Sequence, residues 1–257
     1  MNSITWDKLT YSDSCPVCNT TNEAKIFTKF GYKKNEIRDM YICKICLCIF
    51  DKLTYQINHI KSDIKEETFT STYKTNSESE AKNKLKKIEN LSETITKNIN
   101  KFNKNSKYIY EIGCGAGYLS YALAKKNLNK EVIAIDDRDL QFLEMEKYLG
   151  KISNLKFQKS IKNIKNSKNI ENLVMWHVLE HIKNPSFFLL DIKDKISDNF
   201  FGIFQIPIFK KEHISNDHFI FYSPESINFL AKKINAEIKI IGFDINNQYL
   251  SFTLTRN

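Results

Sequence analysis

The cysteines have the spacing that most directly predicts a chemical role. Four of the six cysteines form two C-x-x-C pairs, Cys15-Pro-Val-Cys18 and Cys43-Lys-Ile-Cys46. Each pair can present two thiolates to one ion, and four thiolates complete a tetrahedral site that leaves no position for water. We therefore predict a structural zinc ion, with iron as the alternative because ligand type alone does not separate the two. Cys48 is interpreted as a bystander.

A second group of residues is the glycine-rich segment Glu111-Ile-Gly-Cys-Gly-Ala-Gly117, which follows a predicted strand and precedes a predicted helix. Glycines let a backbone approach a ligand that a Cβ would block. Asp136 ends the next predicted strand, where an acid can accept both hydroxyls of a ribose. The spacing is G-x-G-x-G, with Tyr118 in place of the third glycine of a dinucleotide fingerprint. This spacing favours an adenosine cofactor other than NAD.

The third group is HVLEH at residues 177–181, which matches the H-x-x-E-H pattern of one class of zinc peptidases. A peptidase of this class needs both histidines on one face of a helix. Here a predicted strand precedes the motif, and the next helix begins only at Asn184-Pro185, with Asn184 as its N-cap. The motif is therefore placed at a strand end and in a loop, and we reject the peptidase interpretation.

Strands and helices alternate around these groups, which indicates a mostly parallel sheet. Predicted strands cover Ala24–Phe30, Met40–Cys43, Tyr108–Ile112, Glu131–Ile135, Asn154–Gln158, Asn172–Trp176, Phe200–Ile206, Glu237–Phe243 and Tyr249–Thr255. Predicted helices cover Ser79–Phe102, Tyr118–Lys126, Asp139–Tyr148, Pro185–Ile196 and the residues from Ser223 to Lys233. The prediction is an α/β fold, a Rossmann-like doubly wound sheet with a C-terminal antiparallel hairpin. A zinc ribbon (1–55) and a linker with a helix (56–104) precede the main domain (105–257).

Composition adds two expectations. The net charge is +9, and six lysines without an acid lie between Lys151 and Ile170. No arginine cluster or interleaved aromatic residues accompany them, so we favour a lysine-rich composition over a nucleic-acid surface. The longest apolar run, Phe200–Phe209, is too short to span a bilayer. The first residues do not have the pattern of a signal peptide, so we expect a cytoplasmic protein without a membrane partner.

Taken together, YEIGCGAGYLS (110–120), VIAIDD (132–137) and LVMWHVLEHIKNP (173–185) resemble the class I S-adenosylmethionine-dependent methyltransferases. A four-cysteine ribbon ahead of such a domain is similar to a group of bacterial methyltransferases, several of which act on sugars or related small molecules. The resemblance implies S-adenosylmethionine as cofactor. The glycines that would cradle its methionine end are Gly113, Gly115 and Gly117. Glu111 would support that turn, and Asp136 would bind the ribose.

One departure from the family concerns the adenine. No acid follows the third strand, where one often contacts this base; Ser160 and Asn163 are the polar residues nearby.

Three interpretations remain for HVLEH. It is a structural hinge in which Glu180 and His181 satisfy buried backbone groups, or it places His177 as a general base. Alternatively, Glu180 and His181 bind a divalent metal. The ubiquinone O-methyltransferases and the small-RNA 3′-end methyltransferases look similar here, because they have a related E-x-x-E-H arrangement. In the present chain His177 stands in place of the first acid of that arrangement.

His218 is the second candidate base. It lies with His213 and Asp217 in the long segment between Pro207 and Ser223. The resemblance implies that this segment covers the acceptor pocket.

Our leading hypothesis is a methyltransferase for a small-molecule acceptor, such as a sugar, a nucleotide-sugar or another hydroxylated metabolite. An RNA methyltransferase, in which ribbon and lysines grip phosphates, is the alternative; it is similar to ribosomal-RNA guanine methyltransferases with an N-terminal zinc clip. A non-enzymatic adaptor with this fold comes third, and a Rossmann dehydrogenase fourth. The oligomeric state is left open.

Overall fold

The structure is a computed structural model, and it describes residues 14–21, 24–32, 36–51, 75–137, 140–164, 169–215 and 217–256. Most of residues 56–77, the part of the predicted linker before its helix, lies outside these ranges. So do the predicted end of the ribbon at Tyr55 and the first residue, Asp139, of one predicted helix.

The elements follow the predicted alternation. The strands are β1 (Ala24–Tyr32), β2 (Glu36–Cys43), β3 (Ile49–Asp51), β4 (Tyr108–Ile112), β5 (Glu131–Ile135), β6 (Leu155–Gln158), β7 (Ile170–Trp176), β8 (Ile196–Pro207), β9 (Ile220–Phe221), β10 (Glu237–Phe243) and β11 (Tyr249–Thr255). The helices are α1 (Glu78–Phe102), α2 (Tyr118–Lys126), α3 (Leu140–Leu149), α4 (Pro185–Lys193) and α5 (Pro224–Lys233). No helix in the described ranges is long and apolar enough to cross a bilayer.

The main sheet has seven strands in the order β10-β11-β8-β7-β4-β5-β6. β4 pairs in parallel with both β5 and β7, and β5 pairs in parallel with β6. β10 and β11 are consecutive neighbours, and the Asp244 carboxylate accepts hydrogen bonds from the Gln248 and Tyr249 amides in the turn between them. The predicted α/β fold with a mostly parallel sheet is confirmed.

The chain comprises two compact units. One contains Met1–Ser62, His177–Lys193 and Gln205–Thr253, and the other contains Asp63–Trp176, Asp194–Phe204 and Leu254–Asn257. We call them the histidine unit and the glycine unit, after the groups of residues described below.

The glycine unit is built around an apolar core that α1 helps to form. Ile95 and Ile99 of α1 are fully buried, and Leu85, Ile88 and Leu91, which are spaced to share one face of the helix, pack against the same core. The Ser77 side chain caps the helix by accepting a hydrogen bond from the Glu80 amide. The predicted bounds of α1 are therefore correct to one residue at its start.

The histidine unit contains a second sheet, in the order β1-β2-β3-β9. Its first two strands are the predicted ribbon strands, each somewhat longer than expected. β9 was not predicted, because two residues carry no periodicity; it pairs with β3 through Ile49 and Phe221. The ribbon is also bonded to helix starts, since Ser186 Oγ donates to the Val17 carbonyl and Ser223 Oγ to the Cys46 carbonyl at 2.9 Å.

Two predicted boundaries, the end of α4 and the start of β8, are wrong. The helix expected to reach Ile196 ends at Lys193, and β8 begins at Ile196 rather than at Phe200. The Ile170 amide donates to the Lys195 carbonyl at 2.8 Å, which ties this segment to the start of β7. Buried Ile196 then enters the sheet, and strand pairing outweighs the helical pattern of the sequence.

Candidate functional site

The glycine turn follows the carboxyl end of β4 and is hydrogen-bonded to the carboxyl end of β5. Gly113, Gly115 and Gly117 have positive φ angles of 74°, 53° and 80°, which favour glycine. The Gly113 amide donates to the Ile135 carbonyl at 2.8 Å, and the Gly115 amide donates to Asp136 Oδ2 at 2.9 Å. The predicted cofactor-binding residues therefore lie together in the glycine unit, at the edge of the sheet where ligands of open α/β folds bind.

Two of these glycines face different surroundings. A Cβ on Gly117 would lie 2.4 Å from Phe142 Cδ2, so this glycine lets α3 pack closely. A Cβ on Gly115 would meet no atom within 4 Å. Gly115 therefore borders open space beside the Asp136 carboxylate, and this arrangement fits an adenosine cofactor whose ribose binds to the acid.

Glu111 precedes the first glycine of the turn by two residues. Its side chain is buried, and it accepts a hydrogen bond from Ser120 Oγ of α2. Burial raises the pKa of the Glu111 carboxyl to about 8; the Ser120 hydrogen bond opposes this shift and the nearby Asp136 charge adds to it. Below that pH the side chain is mostly a neutral acid, which suits a supporting role in the interior.

Gln158 is a candidate that the sequence pattern missed. It ends β6, and its backbone carbonyl accepts from the Asp136 amide at 3.2 Å. Its buried Oε1 has no hydrogen-bond partner among the described residues. Ser160, the polar residue considered from sequence, instead uses its hydroxyl to accept from the Lys162 amide. Its position at the end of the third parallel strand is the signal in the sequence that could have identified Gln158.

The two C-x-x-C pairs come together in the histidine unit. The Sγ atoms of Cys15, Cys18, Cys43 and Cys46 lie within 4.8 Å of one another and can hold one metal ion. Each pair forms a tight turn, closed by hydrogen bonds from Asn19 to the Cys15 carbonyl and from Leu47 to the Cys43 carbonyl. Cys48 is not remote from them, because its Sγ lies 3.3 Å from that of Cys15.

HVLEH occupies the predicted position in the chain. His177 follows β7 directly, residues Leu179–His181 form one 3₁₀ turn, and α4 begins only at Pro185. The two histidines of the motif are therefore not on one face of a helix, which agrees with rejecting the peptidase interpretation. His177 has a positive φ of 55°, unusual for a residue with a Cβ, and its ring contacts that of Tyr249 at 4.7 Å.

The segment before β9 brings His218 to this turn. One ligand atom each from Glu180, His181 and His218 lie within 4.8 Å of one another. The Phe219 amide donates to the Glu180 carbonyl at 2.8 Å, and the Tyr222 hydroxyl donates to the Leu179 carbonyl at 2.9 Å. Two candidates that were considered separately from sequence thus belong to one cluster, which we call the Glu–His–His cluster.

His181 bonds to a backbone group, as the hinge interpretation requires, whereas the Glu180 side chain bonds to none in the described part of the chain. His181 Nδ1 bonds to the Asp217 carbonyl at 2.8 Å. The Glu180 side chain is fully buried, yet neither of its carboxylate oxygens has a hydrogen-bond partner among the described residues. His177 Nδ1 lies 3.5 Å from Glu180 Oε1. A buried carboxylate without hydrogen bonds is costly unless a cation compensates it.

The surroundings of His218 favour the neutral form of its imidazole. Burial lowers the pKa of its imidazole, and the proximity of His181 lowers it further. A neutral imidazole can accept a proton or bind a metal ion, whereas an imidazolium can do neither.

Comparison with known proteins agrees with this geometry. Residues 83–192 match the model of a family described as a methyltransferase domain. A SAM-dependent methyltransferase from Aquifex aeolicus is similar with a TM-score of 0.51 and 16% identity, over 71% of this chain and 100% of that one. The fold is that of the class I SAM-dependent methyltransferases. Another such enzyme, from Clostridium acetobutylicum, is similar with a TM-score of 0.51 and 12% identity, over 65% of this chain and 90% of that one. No curated protein matches by sequence.

We expect Glu111 to make stability depend on pH. Its pKa of about 8 in the folded protein lies above the ordinary value of 4.5, so the folded state holds a proton that the unfolded chain releases. Stability from this group therefore falls as pH rises from about 4.5 to about 8. We expect the free energy of unfolding of the wild type, measured in urea, to fall across this pH range relative to that of Glu111→Gln, which has no carboxyl to titrate at this position. Parallel pH profiles for the two proteins would contradict the assignment.

Proposed function

We propose that the protein is an S-adenosylmethionine-dependent methyltransferase that acts on a small hydroxylated acceptor, such as a sugar. The observation that carries the proposal is the turn in which the Gly115 amide binds the Asp136 carboxylate while the space above Gly115 stays open. Its position after the first parallel strand, within the matched domain, supports this cofactor.

In this proposal the glycine unit binds the cofactor. Gly113, Gly115 and Gly117 cradle its methionine end, and Asp136 accepts hydrogen bonds from the ribose hydroxyls. Gln158 Oε1, buried without a partner among the described residues, is suited to accept a hydrogen bond from the adenine amino group. When bound, S-adenosylmethionine supplies a methyl group on a positively charged sulfur, which an acceptor displaces in line.

The protein's contribution to transfer is alignment and removal of one proton. We propose His177 and His218 as the candidate bases that take this proton from an acceptor hydroxyl. His218 donates Nδ1–H to the His213 carbonyl at 2.6 Å, so its Nε2 retains a lone pair that can accept a proton. The positive φ of His177 supports its assignment as a candidate base, because residues with a strained backbone are concentrated at functional sites.

The small acceptor is supported by the resemblance of the chain to ribbon-bearing methyltransferases that act on sugars. The lysines between Lys151 and Ile170 leave RNA as the alternative acceptor. A panel of sugars, nucleotide-sugars and RNA, incubated with a cofactor carrying a deuterated methyl group, identifies the acceptor by mass spectrometry.

The cofactor assignment is tested by calorimetric titration with S-adenosylhomocysteine. Wild type should bind it, and Gly115→Ala should bind at least about tenfold more weakly, a change of ~1.4 kcal/mol, because the new Cβ enters the cradle. Gly150→Ala is the matched control: Gly150 also has a positive φ, a Cβ there would likewise meet no atom within 4 Å, and the residue follows α3. Both substitutions carry a similar backbone strain of about 1–2 kcal/mol, so only Gly115→Ala should lose affinity.

Two results would count against this proposal. Equal affinity of the two variants would remove Gly115 from the binding site. Binding of NADH in place of S-adenosylhomocysteine by the wild-type protein would favour a dehydrogenase.

We further propose that Cys15, Cys18, Cys43 and Cys46 hold a structural zinc ion. Four thiolates within 4.8 Å support this ion, and such a closed site contributes to folding rather than to catalysis. The ribbon is bonded to β9 through β3, so the ion would stabilise the strand that begins two residues after His218.

We expect one zinc ion per chain by elemental analysis. Cys43→Ser should lose it, and amide exchange should rise at Ile220 and Phe221, because zinc binding drives the folding of such small sites. Cys48→Ser, which alters a neighbouring thiol outside the four, should keep its zinc and its protection. Iron in the wild-type protein, or equal loss of zinc in both variants, would refute this assignment.

A further inference from the structure

The Glu–His–His cluster has features that neither the zinc ribbon nor the glycine turn explains. Glu180 is buried with no hydrogen-bond partner for its carboxylate among the described residues, and His181 and His218 each present a ligand atom within 4.8 Å of it. We propose that Glu180, His181 and His218 form a second metal site that binds a divalent first-row transition-metal ion.

The hydrogen bonds of both imidazoles prepare them to bind a metal. His181 Nδ1 lies 2.8 Å from the Asp217 carbonyl, and His218 Nδ1 lies 2.6 Å from the His213 carbonyl. A carbonyl only accepts, so each Nδ1 carries a proton, and in the neutral imidazole Nε2 then keeps its lone pair. Metal-binding histidines typically donate their other ring N–H to a backbone carbonyl or a carboxylate in this way.

The surroundings of the cluster also include an acid, Asp217. Asp217 Oδ2 lies 3.7 Å from His181 Nδ1, so a carboxylate adjoins one imidazole as well as its carbonyl partner. Ser215 Oγ donates to Asp217 Oδ1 and holds that side chain in place. A positive ion at the cluster would compensate the buried Glu180 charge, which the described residues leave without hydrogen bonds.

The donor set identifies the class of ion. Two imidazole nitrogens and one carboxylate oxygen suit Zn²⁺, Mn²⁺, Co²⁺ or Fe²⁺, whereas Ca²⁺ and Mg²⁺ prefer oxygen ligands throughout. Ligands that share such an ion at about 2.1 Å lie roughly 3–4 Å apart. The observed upper limit of 4.8 Å therefore requires only a small closure of the side chains.

Three protein ligands leave coordination positions for water or for an oxygen of another molecule. Here the inference rests on the proposed function: an acceptor hydroxyl bound to the ion would lose its proton more readily. His218 would then be a metal ligand, and His177 would remain the candidate base.

The test titrates the zinc-loaded protein with Co²⁺ and follows the visible spectrum, with Mn²⁺ binding measured by electron paramagnetic resonance. We expect one Co²⁺ to bind without the thiolate charge-transfer bands that a four-cysteine site produces, while the zinc content stays constant. Affinity should fall at least about tenfold in Glu180→Gln and in His218→Gln, because each loses one of three protein ligands.

His213→Gln is the matched control. The His213 Nδ1 also bonds to a backbone carbonyl, that of Ile208 at 2.8 Å, but its side chain is outside the cluster. This variant should bind Co²⁺ as wild type does. Because Glu180→Gln removes a buried charge, its metal-free form should be at least as stable as wild type, which separates lost binding from misfolding.

The second site is overturned if wild type shows no saturable binding, or if Glu180→Gln and His218→Gln bind as tightly as wild type. Displacement of zinc with the appearance of thiolate bands would also overturn it. S-Adenosylhomocysteine is titrated on the same samples. If the protein binds S-adenosylhomocysteine but no metal, only the second site is refuted. If it binds the metal but not S-adenosylhomocysteine, only the proposed methyltransferase is refuted.

Discussion

The parallel pairing of β4 with β5 is the constraint on which the glycine unit depends. Because the two strands run in the same direction, the turn after β4 and the acid after β5 emerge at one edge. The Gly115 amide and the Asp136 carboxylate then meet, and Glu111 beneath them remains buried. A register shift of one residue would move this pair apart and turn Glu111 to the opposite face of the sheet, away from Ser120, since successive strand residues face opposite sides.

The histidine unit depends on a different kind of link. Its ribbon is not an appendage joined only by sequence, because β3 pairs with β9 and two serines at helix starts bond to carbonyls beside the cysteines. Ser223 thus caps α5 and bonds to a ribbon turn at the same time. The segment that carries His218 enters β9 directly, so the four-cysteine cluster and the Glu–His–His cluster belong to one packed unit, although their donor atoms suit different ions.

Local patterns predicted most of the fold. The strands at Tyr108–Ile112 and Glu131–Ile135 and the helix at Tyr118–Lys126 have their predicted bounds, because buried β-branched runs and a glycine turn mark them clearly. The end of α4 was wrong because pairing with β7 decided it. β9 was missed because it exists only through its tertiary partner, and no periodicity in a two-residue segment can reveal that.

The same distinction applies to the candidate sites. Each C-x-x-C pair is a local pattern, and the glycine turn and Asp136 follow two neighbouring parallel strands. The sequence could therefore predict that the residues of each group lie close together. The meeting of His218 with Glu180 depends on how two distant parts of the sequence fold back on each other, a non-local contact that the chain order does not encode. Gln158 was not predicted because an amide at that position belongs to no known motif. The structure identifies it through a buried side-chain oxygen that has no hydrogen-bond partner among the described residues.

The decisive measurement is a crystal structure of the protein grown with S-adenosylhomocysteine. We expect the ribose hydroxyls to lie within hydrogen-bonding distance of Asp136 and the amino-acid end of the ligand to lie against Gly113–Gly117. A ligand bound elsewhere, with the turn at Gly115 filled by protein atoms, would show that this turn is not the cofactor site.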